Sequence, residues 1–549
     1  MLSELLSTEL DNEKVQILSS DEATLQYGCT TFSTPLIIDA AVIAMDERII
    51  GRLLTLANRH DFCIYPISSG KNWGYGSFQF DVNNKAKIIL DLSRLKQITA
   101  TDKNLGLITI QPGVTQQDLF DFLTQHDWHY MTPVTGAGPS CSIIGNALER
   151  GYGITPRTDH FAAVNAIKAY IPHPLYCENR YESAISALDT SSEDFIDKTF
   201  KWGLGPYLDG IFSQSSLGIV SEMTIRLAPL PKSFCSFYIK IPSHMNFPNA
   251  LDLIKDTLQE FEGIVGSINL MDRRRLVSMT SKNPNGASSH QTMTEEQVTQ
   301  LAKTHKLPEW MIVGSIYGNK EIVKATKKCI RGKAKTIGSA YFSDSIIMTM
   351  ANKILSLPLP ELNIIKILRD QLKSLQEGTD IMLGKPNQVA LPLAYWRNPR
   401  VDGDKSKTLN PAKDGCGLLW YAPLIPMKKA SIEIFIQFVR STCPKYGIEP
   451  LITFTNLRHD CIDSTVPIVF NLEDPKAVES AHNCLDELIK GGREFGFVPY
   501  RLNTEQQKKL NFTPVFWQTA RLIKESLDPN NILHPERYSH PQCRANTGN

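Results

Sequence analysis

Three glycine-rich segments follow one another along this chain, and each offers backbone that a ligand can approach closely. The first, PISSGKNWGYGSFQF, runs from a predicted strand into a loop carrying Gly70, Gly74 and Gly76. Exposed N–H groups in such a turn form an anion-binding concavity suited to a pyrophosphate, and Ser68, Ser69 and Asn72 add short polar groups. The second, GAGPSCSIIGNALERGYGITPRTDH, carries Gly136, Gly138, Gly145, Gly151 and Gly153; the third, GPYLDGIFSQSSLGIVSEMTIRL, ends in a predicted strand. One such loop is weak evidence, because tight turns use glycine for conformational reasons. Three together suit one extended crevice for a dinucleotide. The spacing G-K-N-W-G-Y-G, followed by extended chain, fails the G-x-G-x-x-G turn into a helix that nicotinamide dinucleotides require.

A chain of 549 residues exceeds what one hydrophobic core accommodates, so two domains are expected. Lysine plus arginine (58) nearly balances aspartate plus glutamate (57), which leaves no field to gather nucleic acid or an anionic membrane and points to a small-molecule partner. Eleven cysteines stand singly with no C-x-x-C pair, which suits reduced thiols and gives no metal site. With the acidic start MLSELLSTELDNEK and no long apolar run, a cytoplasmic protein is expected.

Local patterns alternate helix and strand. Ile49, Ile50, Leu53, Leu54 and Ala57 share one face of a helix over 47–60, and the strand-like FCIYPIS follows. Thr115 and Asp118 stand at N-cap and N3 of the next helix. The proline-punctuated LAPLPKS predicts a domain boundary near residue 230. Beyond it, GSIYG precedes the helix NKEIVKATKKCIRG, and PIVFNLEDP precedes KAVESAHNCLDELIKGG, with Asp474 as N-cap, Pro475 at N1 and Gly491 as terminator. Residues 283–291 and 398–417 read as surface loops, and Arg273, Arg274 and Arg275 as a solvated or salt-bridged face.

The three segments, followed by the carboxy-terminal FVPYR and DPNNILHP, resemble the signatures of the vanillyl-alcohol oxidase and 4-cresol methylhydroxylase family of flavoproteins. The resemblance covers nearly the whole chain, least well in the middle. It implies an α+β fold with a two-part FAD-binding domain of the vanillyl-alcohol oxidase (PCMH) type, formed by residues 1–230 and 491–549, and an α+β cap over 231–490. It implies FAD held by Ser68, Ser69, Gly70, Lys71, Asn72, Trp73, Gly74, Tyr75 and Gly76, by Ser142, Ile143, Gly145, Asn146, Glu149, Gly151 and Ile154, by Gly218, Ile219 and Val220, and by Arg537. It further implies a 4-substituted phenol bound as phenolate by Tyr75, Tyr500 and Arg501, a hydride passing to the flavin, a homodimer, and reoxidation by oxygen or an electron-acceptor protein.

Two departures from the family stand out. Ala137 occupies the place of an aspartate that handles protons, a role worth roughly 10² to 10⁴ in rate. Gly417, Leu418 and Leu419 occupy the neighbourhood where relatives link the flavin covalently, so FAD is expected to be non-covalent, with Cys416 an inert thiol. Arg157 is a candidate for the pocket or for an ion pair with Asp159 or Glu149, and His160 and His459 are candidate acid-base groups in place of the missing aspartate. Two alternatives remain beside phenol oxidation: FAD-dependent oxidation of a 2-hydroxy acid or a specialised biosynthetic intermediate, and a non-catalytic flavin-binding subunit.

Overall fold

The fold is that of a mixed α+β protein, seen in a computed structural model that describes all residues except 1, 11–13, 77, 79–84, 189–195, 345–372, 374 and 540–549. Apolar patterning produces the first sheet directly. The helix Arg48–His60 buries Ile49, Ile50, Leu53, Leu54 and Ala57 against the strands Ala40–Ala44, Lys87–Asp91 and Cys63–Ile67, which pair in that order in parallel, with Val15–Leu18 antiparallel at the edge. Val, Ile and Leu dominate these strands because both of their faces are covered. The extended chain expected after Gly76 falls mostly on residues outside the description.

A second sheet of five strands runs in the order Ile98–Asp102, Leu107–Ile110, Ile219–Arg226, Val164–Tyr170 and Arg180–Glu182. Thr115 caps the helix Gln116–Gln125, and the box with Asp118 is complete: each side chain takes a backbone N–H of the other residue. The third sheet, of nine strands, takes its residues from Ser233 to Pro499. Its helices Phe247–Glu260, Lys429–Thr442 and Pro475–Glu494 cover a core that includes Phe237, Phe247, Trp310, Phe435 and Phe454.

Gly491 does not end its helix, contrary to the sequence pattern: the helix continues to Glu494. A Cβ on Gly491 would come within 2.9 Å of the Phe438 ring, so glycine serves close helix packing there. The carboxy-terminal segment returns to the first sheet. Ile64 N–H donates to the Ile532 carbonyl (2.8 Å) and His534 N–H to the Ile64 carbonyl (2.9 Å). The buried Lys524 ammonium fastens this return, donating to Asp528 (2.6 Å) and to the carbonyls of Leu533 (2.7 Å) and Ser216 (2.9 Å). Residues far apart in sequence thereby come to surround one cavity.

Candidate active site

All three glycine-rich segments, the carboxy-terminal return and part of the nine-stranded sheet region line a cavity of about 420 Å³. Of the residues expected at a cofactor, it is lined by Ser68, Ser69, Gly70, Lys71, Asn72, Trp73, Tyr75, Ser142, Gly145, Asn146, Glu149, Gly151, Gly218, Ile219, Val220 and Arg537. Gly74, Gly76, Ile143 and Ile154 do not line it. Gly74 (φ 80°) lies against the Trp420 indole, and a Cβ on Gly76 (φ 76°) would come within 2.7 Å of the Phe32 ring. These two glycines therefore answer to a left-handed backbone under aromatic side chains, where any Cβ is strained, rather than to a ligand. Ile143 is buried in the core beneath the five-stranded sheet, and Ile154 packs beside Met131, Phe234 and Tyr317.

The loop itself fits a pyrophosphate. Among the described residues, no acceptor takes the backbone N–H of Ser69, Gly70, Lys71 or Asn72, so four successive donors are free beside the cavity. The loop is fixed from behind: Gly74 N–H donates to Thr31 Oγ1 (2.8 Å), and Asn72 Nδ2 donates to the Gly76 carbonyl (2.7 Å). Lys71 adds a cation, held 5.6 Å from the Trp73 ring, and burial lowers its pKa. Ser142 is committed to structure, its hydroxyl donating to the Pro112 carbonyl (2.7 Å) and accepting from Gly145 N–H (3.0 Å).

Tyr75, Tyr500 and Arg501 converge. The Arg501 guanidinium lies 4.2 Å from the centre of the Tyr75 ring. Tyr500 is placed through its backbone, with its N–H on the Ala422 carbonyl (3.2 Å) and its carbonyl accepting from Gln214 Nε2 (3.1 Å). No described residue hydrogen-bonds to the hydroxyl of Tyr75 or of Tyr500. Arg501 donates from Nε to Glu149 (3.1 Å) and from Nη2 to Asn72 Oδ1, which leaves Nη1 unengaged. Glu149 also pairs with Arg537, so one carboxylate bridges two guanidiniums.

Two residues that sequence reasoning missed belong to this cluster. Tyr152 lines the cavity with its ring 5.3 Å from that of Tyr500, and burial, reinforced by the Asp463 carboxylate, pushes its pKa up to about 12. Asp463, 5% exposed on the strand Cys461–Asn471, has an Oδ1 with no hydrogen-bond partner. Burial raises its pKa well above the carboxylate range despite the attraction of Arg501. Asp463 in turn adds to the burial that raises the pKa values of Tyr75 and Tyr500. The signal in the sequence was a carboxylate inside CIDSTVPIVFN, a strand buried on both faces.

The raised pKa has a sign that can be checked. The native state binds the Asp463 proton more tightly than the unfolded chain, so the group stabilises the fold at low pH and this stabilisation is lost as pH rises. Relative to Asp463→Asn, the wild type should lose up to about 1.4 kcal/mol per pH unit between the unfolded carboxylate pKa of roughly 4 and the raised value in the fold, with no further loss above it. Urea unfolding of both proteins over that range tests it; parallel curves would show an ordinary carboxylate.

The other candidates lie elsewhere. His459, expected as an acid-base group, is half-buried beside the Arg458–Asp460 ion pair (2.6 Å) and does not line the cavity. His160 is buried with Nδ1 2.7 Å from Asn146 Nδ2, and desolvation lowers its pKa to about 4, so it is neutral at ordinary pH. Arg157 lines a separate small cavity with His160 and Arg226, and no carboxylate lies within ion-pairing distance among the described residues. Ala137 and Leu418 line the main cavity. Cys416 is buried, accepts from Asn398 Nδ2 (3.3 Å), and has its pKa pushed up to about 12 by burial.

The triple arginine divides. Arg273 pairs with Glu309 (2.8 Å) and Arg274 with Glu295 (2.6 Å) and Glu449, as expected of a salt-bridged face, whereas Arg275 lines the cavity. Among the described residues, no group of three or more His, Cys, Asp or Glu is arranged to hold a metal, and no helix is long and apolar enough to cross a membrane.

Residues 38–169 match the FAD binding domain model. The chain is 27% identical over 527 residues to 1'-carboxy-chondrochloren decarboxylase of Chondromyces crocatus, covering 95% of this chain and 94% of that one. It is 24% identical to the 4-cresol dehydrogenase [hydroxylating] flavoprotein subunit of Pseudomonas putida, covering 91% and 87%. Among solved structures, p-cresol methylhydroxylase with substrate bound superposes with a TM-score of 0.82 at 21% identity, covering 98% of this chain and 96% of that one. The isoeugenol complex of 4-ethylphenol oxidase from Gulosibacter chungangensis also gives 0.82, at 20% identity with 98% and 97% covered. The chain thus carries an FAD binding domain over residues 38–169 and shares its fold with p-cresol methylhydroxylase and 4-ethylphenol oxidase, and over nearly its whole length it is similar to FAD-linked flavoproteins of the 4-cresol dehydrogenase kind.

Proposed function

We propose that this protein oxidises a phenolic compound, a 4-alkylphenol or an aromatic alcohol of that kind. The observation that carries the reading is the convergence on one cavity of Tyr75 and Tyr500, whose hydroxyls have no hydrogen-bond partner among the described residues, with an Arg501 guanidinium that keeps one nitrogen free among them. FAD, when bound, supplies the two-electron acceptor that takes a hydride from the para-alkyl carbon. The free N–H groups of Ser69 to Asn72 would hold its pyrophosphate, with Lys71 as counter-charge.

The protein's own groups prepare the substrate. Two phenolic donors and a permanent cation stabilise the phenolate over the phenol, and the added electron density on the ring favours departure of the hydride. Tyr152 beside Tyr500 closes one side of the ring site. Mixing the FAD-loaded protein with 4-nitrophenol tests the site: the bound phenol should ionise at lower pH than the free one, and 4-nitroanisole should bind far more weakly. Equal binding of the two would remove the phenolate site.

FAD is non-covalent in this reading. Leu418 offers no nucleophile, and the cavity-lining Cys141 is kept a thiol by burial, which pushes its pKa up to about 12. Acid precipitation should therefore release the flavin intact into the supernatant, and flavin retained in the pellet would refute this. Reoxidation by oxygen or by an electron-acceptor protein, and assembly as a homodimer, complete the proposal.

A second reading, a substrate that loses CO2, is favoured by Ala137 and by the relative named a decarboxylase of a 1'-carboxy compound. After hydride removal from the carbon next to the ring, the electron pair of the adjacent C–COO⁻ bond forms the new C=C bond, CO2 departs and the ring regains its phenolate. That route needs no carboxylate base at position 137.

A further inference from the structure

Resting on the phenol reading above, we propose that Arg275 forms an anion subsite in the substrate cavity, so that the natural substrate is a phenol whose para side chain carries a carboxylate. Arg275 stands at the start of the helix Arg273–Thr280, which follows the strand Ile268–Asp272. Its neighbours Arg273 and Arg274 are neutralised by Glu309, Glu295 and Glu449, but among the described residues no carboxylate lies within 4 Å of the Arg275 guanidinium. Among the described residues its side chain makes one hydrogen bond, from Nη1 to Ser278 Oγ at 3.3 Å, and the rest of the fork is unengaged.

The obvious counter-charge is turned to other work. Asp272 caps the helix, its Oδ1 accepting the backbone N–H groups of Arg275 (2.9 Å) and Ile452 (3.3 Å), while its Oδ2 lies 3.5 Å from Arg440. Arg275 is half-buried, and desolvation lowers its pKa to about 10 even with Asp272 nearby. A cation partly withdrawn from water without a counter-charge is costly to a fold, and a bound anion offsets that cost. The planar guanidinium with free N–H groups matches a carboxylate in a bidentate arrangement.

The remaining cations of the cavity do not compete for this role. Arg501 and Arg537 share Glu149, and Lys71 belongs to the loop with the free N–H groups. The cavity wall contributed by the Leu391–Tyr395 turn, through Leu391, Leu393 and Ala394, is apolar, so an anion there has Arg275 as its partner. A phenol anchored at Tyr75, Tyr500 and Arg501 would thus be gripped at both ends, its ring end by one guanidinium and its side chain by another.

The test compares 3-(4-hydroxyphenyl)propionate with its methyl ester and with 4-propylphenol on the FAD-loaded protein, reading Kd from perturbation of the flavin spectrum. Wild type should bind the acid at least tenfold more tightly than the ester. Arg275→Met should bring that ratio to within twofold, Arg275→Lys should keep an intermediate preference, and Arg400→Met, which removes an exposed cation, should keep the wild-type ratio. Flavin content of each variant, measured alongside, shows whether the fold holds, and Arg275→Gln serves if the methionine variant does not fold. Equal binding of acid and ester by wild type, or a preference that survives in Arg275→Met, overturns the subsite while leaving the phenol reading intact. If 4-propylphenol itself fails to bind, the phenol reading falls and the subsite with it.

Discussion

An Arg501→Met variant is expected to lose about two to three orders of magnitude in the rate at which a para-alkylphenol reduces the flavin, the usual loss when a donor to a developing oxyanion is removed. The guanidinium lies 4.2 Å from the centre of the Tyr75 ring, with Nη1 unengaged among the described residues. Tyr500→Phe removes a neutral donor and should cost about fivefold, in line with roughly 1 kcal/mol for an ordinary hydrogen bond. The two variants should also differ in their pH profiles. Arg501 acts by making the phenol ionise, so the deficit of Arg501→Met should shrink as pH rises towards the phenol's own pKa of about 10, where the substrate arrives already charged. A loss that is constant with pH would assign Arg501 a purely structural part.

The second large effect belongs to Glu149. Its carboxylate lies between Arg501 and Arg537, whose side chains are 11% and 9% exposed, and is itself 16% exposed. Breaking a buried pair leaves a charge without compensation and typically costs about 3 to 5 kcal/mol. Glu149→Gln leaves two cations facing each other, so a melting midpoint lower by several degrees and weakened FAD retention are expected, measured by thermal unfolding and by flavin content after gel filtration. Glu149→Asp should recover part of both. An unchanged midpoint with full flavin content would show that the two arginines find other partners.

The parts of this molecule that were legible in the sequence are those governed by short-range rules. Thr115 and Asp118 form their capping box because the motif is local, and the helix over Ile49 to Ala57 buries the face its spacing marks. The loop that lines the cavity was singled out by its glycines, although Gly74 and Gly76 lie under aromatic side chains and the feature that faces the cavity is the row of N–H groups from Ser69 to Asn72 that have no acceptor among the described residues. A glycine signals a backbone conformation; what occupies the space beside it depends on Trp420 and Phe32, which lie hundreds or tens of residues away.

What stayed hidden depends on tertiary neighbours. Arg275 is indistinguishable in sequence from Arg273 and Arg274, and only the packing of its helix decides which of the three faces the cavity. His459 was conspicuous in a charged triplet yet lies off the cavity, while Asp463, four residues on, is buried within reach of three tyrosines. The difference is burial: the first sits half-buried on a bend between the paired Arg458 and Asp460, the second inside a strand covered on both sides. Gly491 misled because its reason is contact with Phe438 rather than helix termination.

The measurement that bears most directly on the account is anaerobic mixing of the FAD-loaded protein with a para-alkylphenol and, separately, with its O-methyl ether. The phenol should bleach the visible flavin band at a rate that saturates with concentration, and the ether, which cannot become a phenolate, should leave the flavin oxidised. A flavin that stays oxidised with every para-alkylphenol tried, or that the ether reduces as fast as the phenol, would contradict the account.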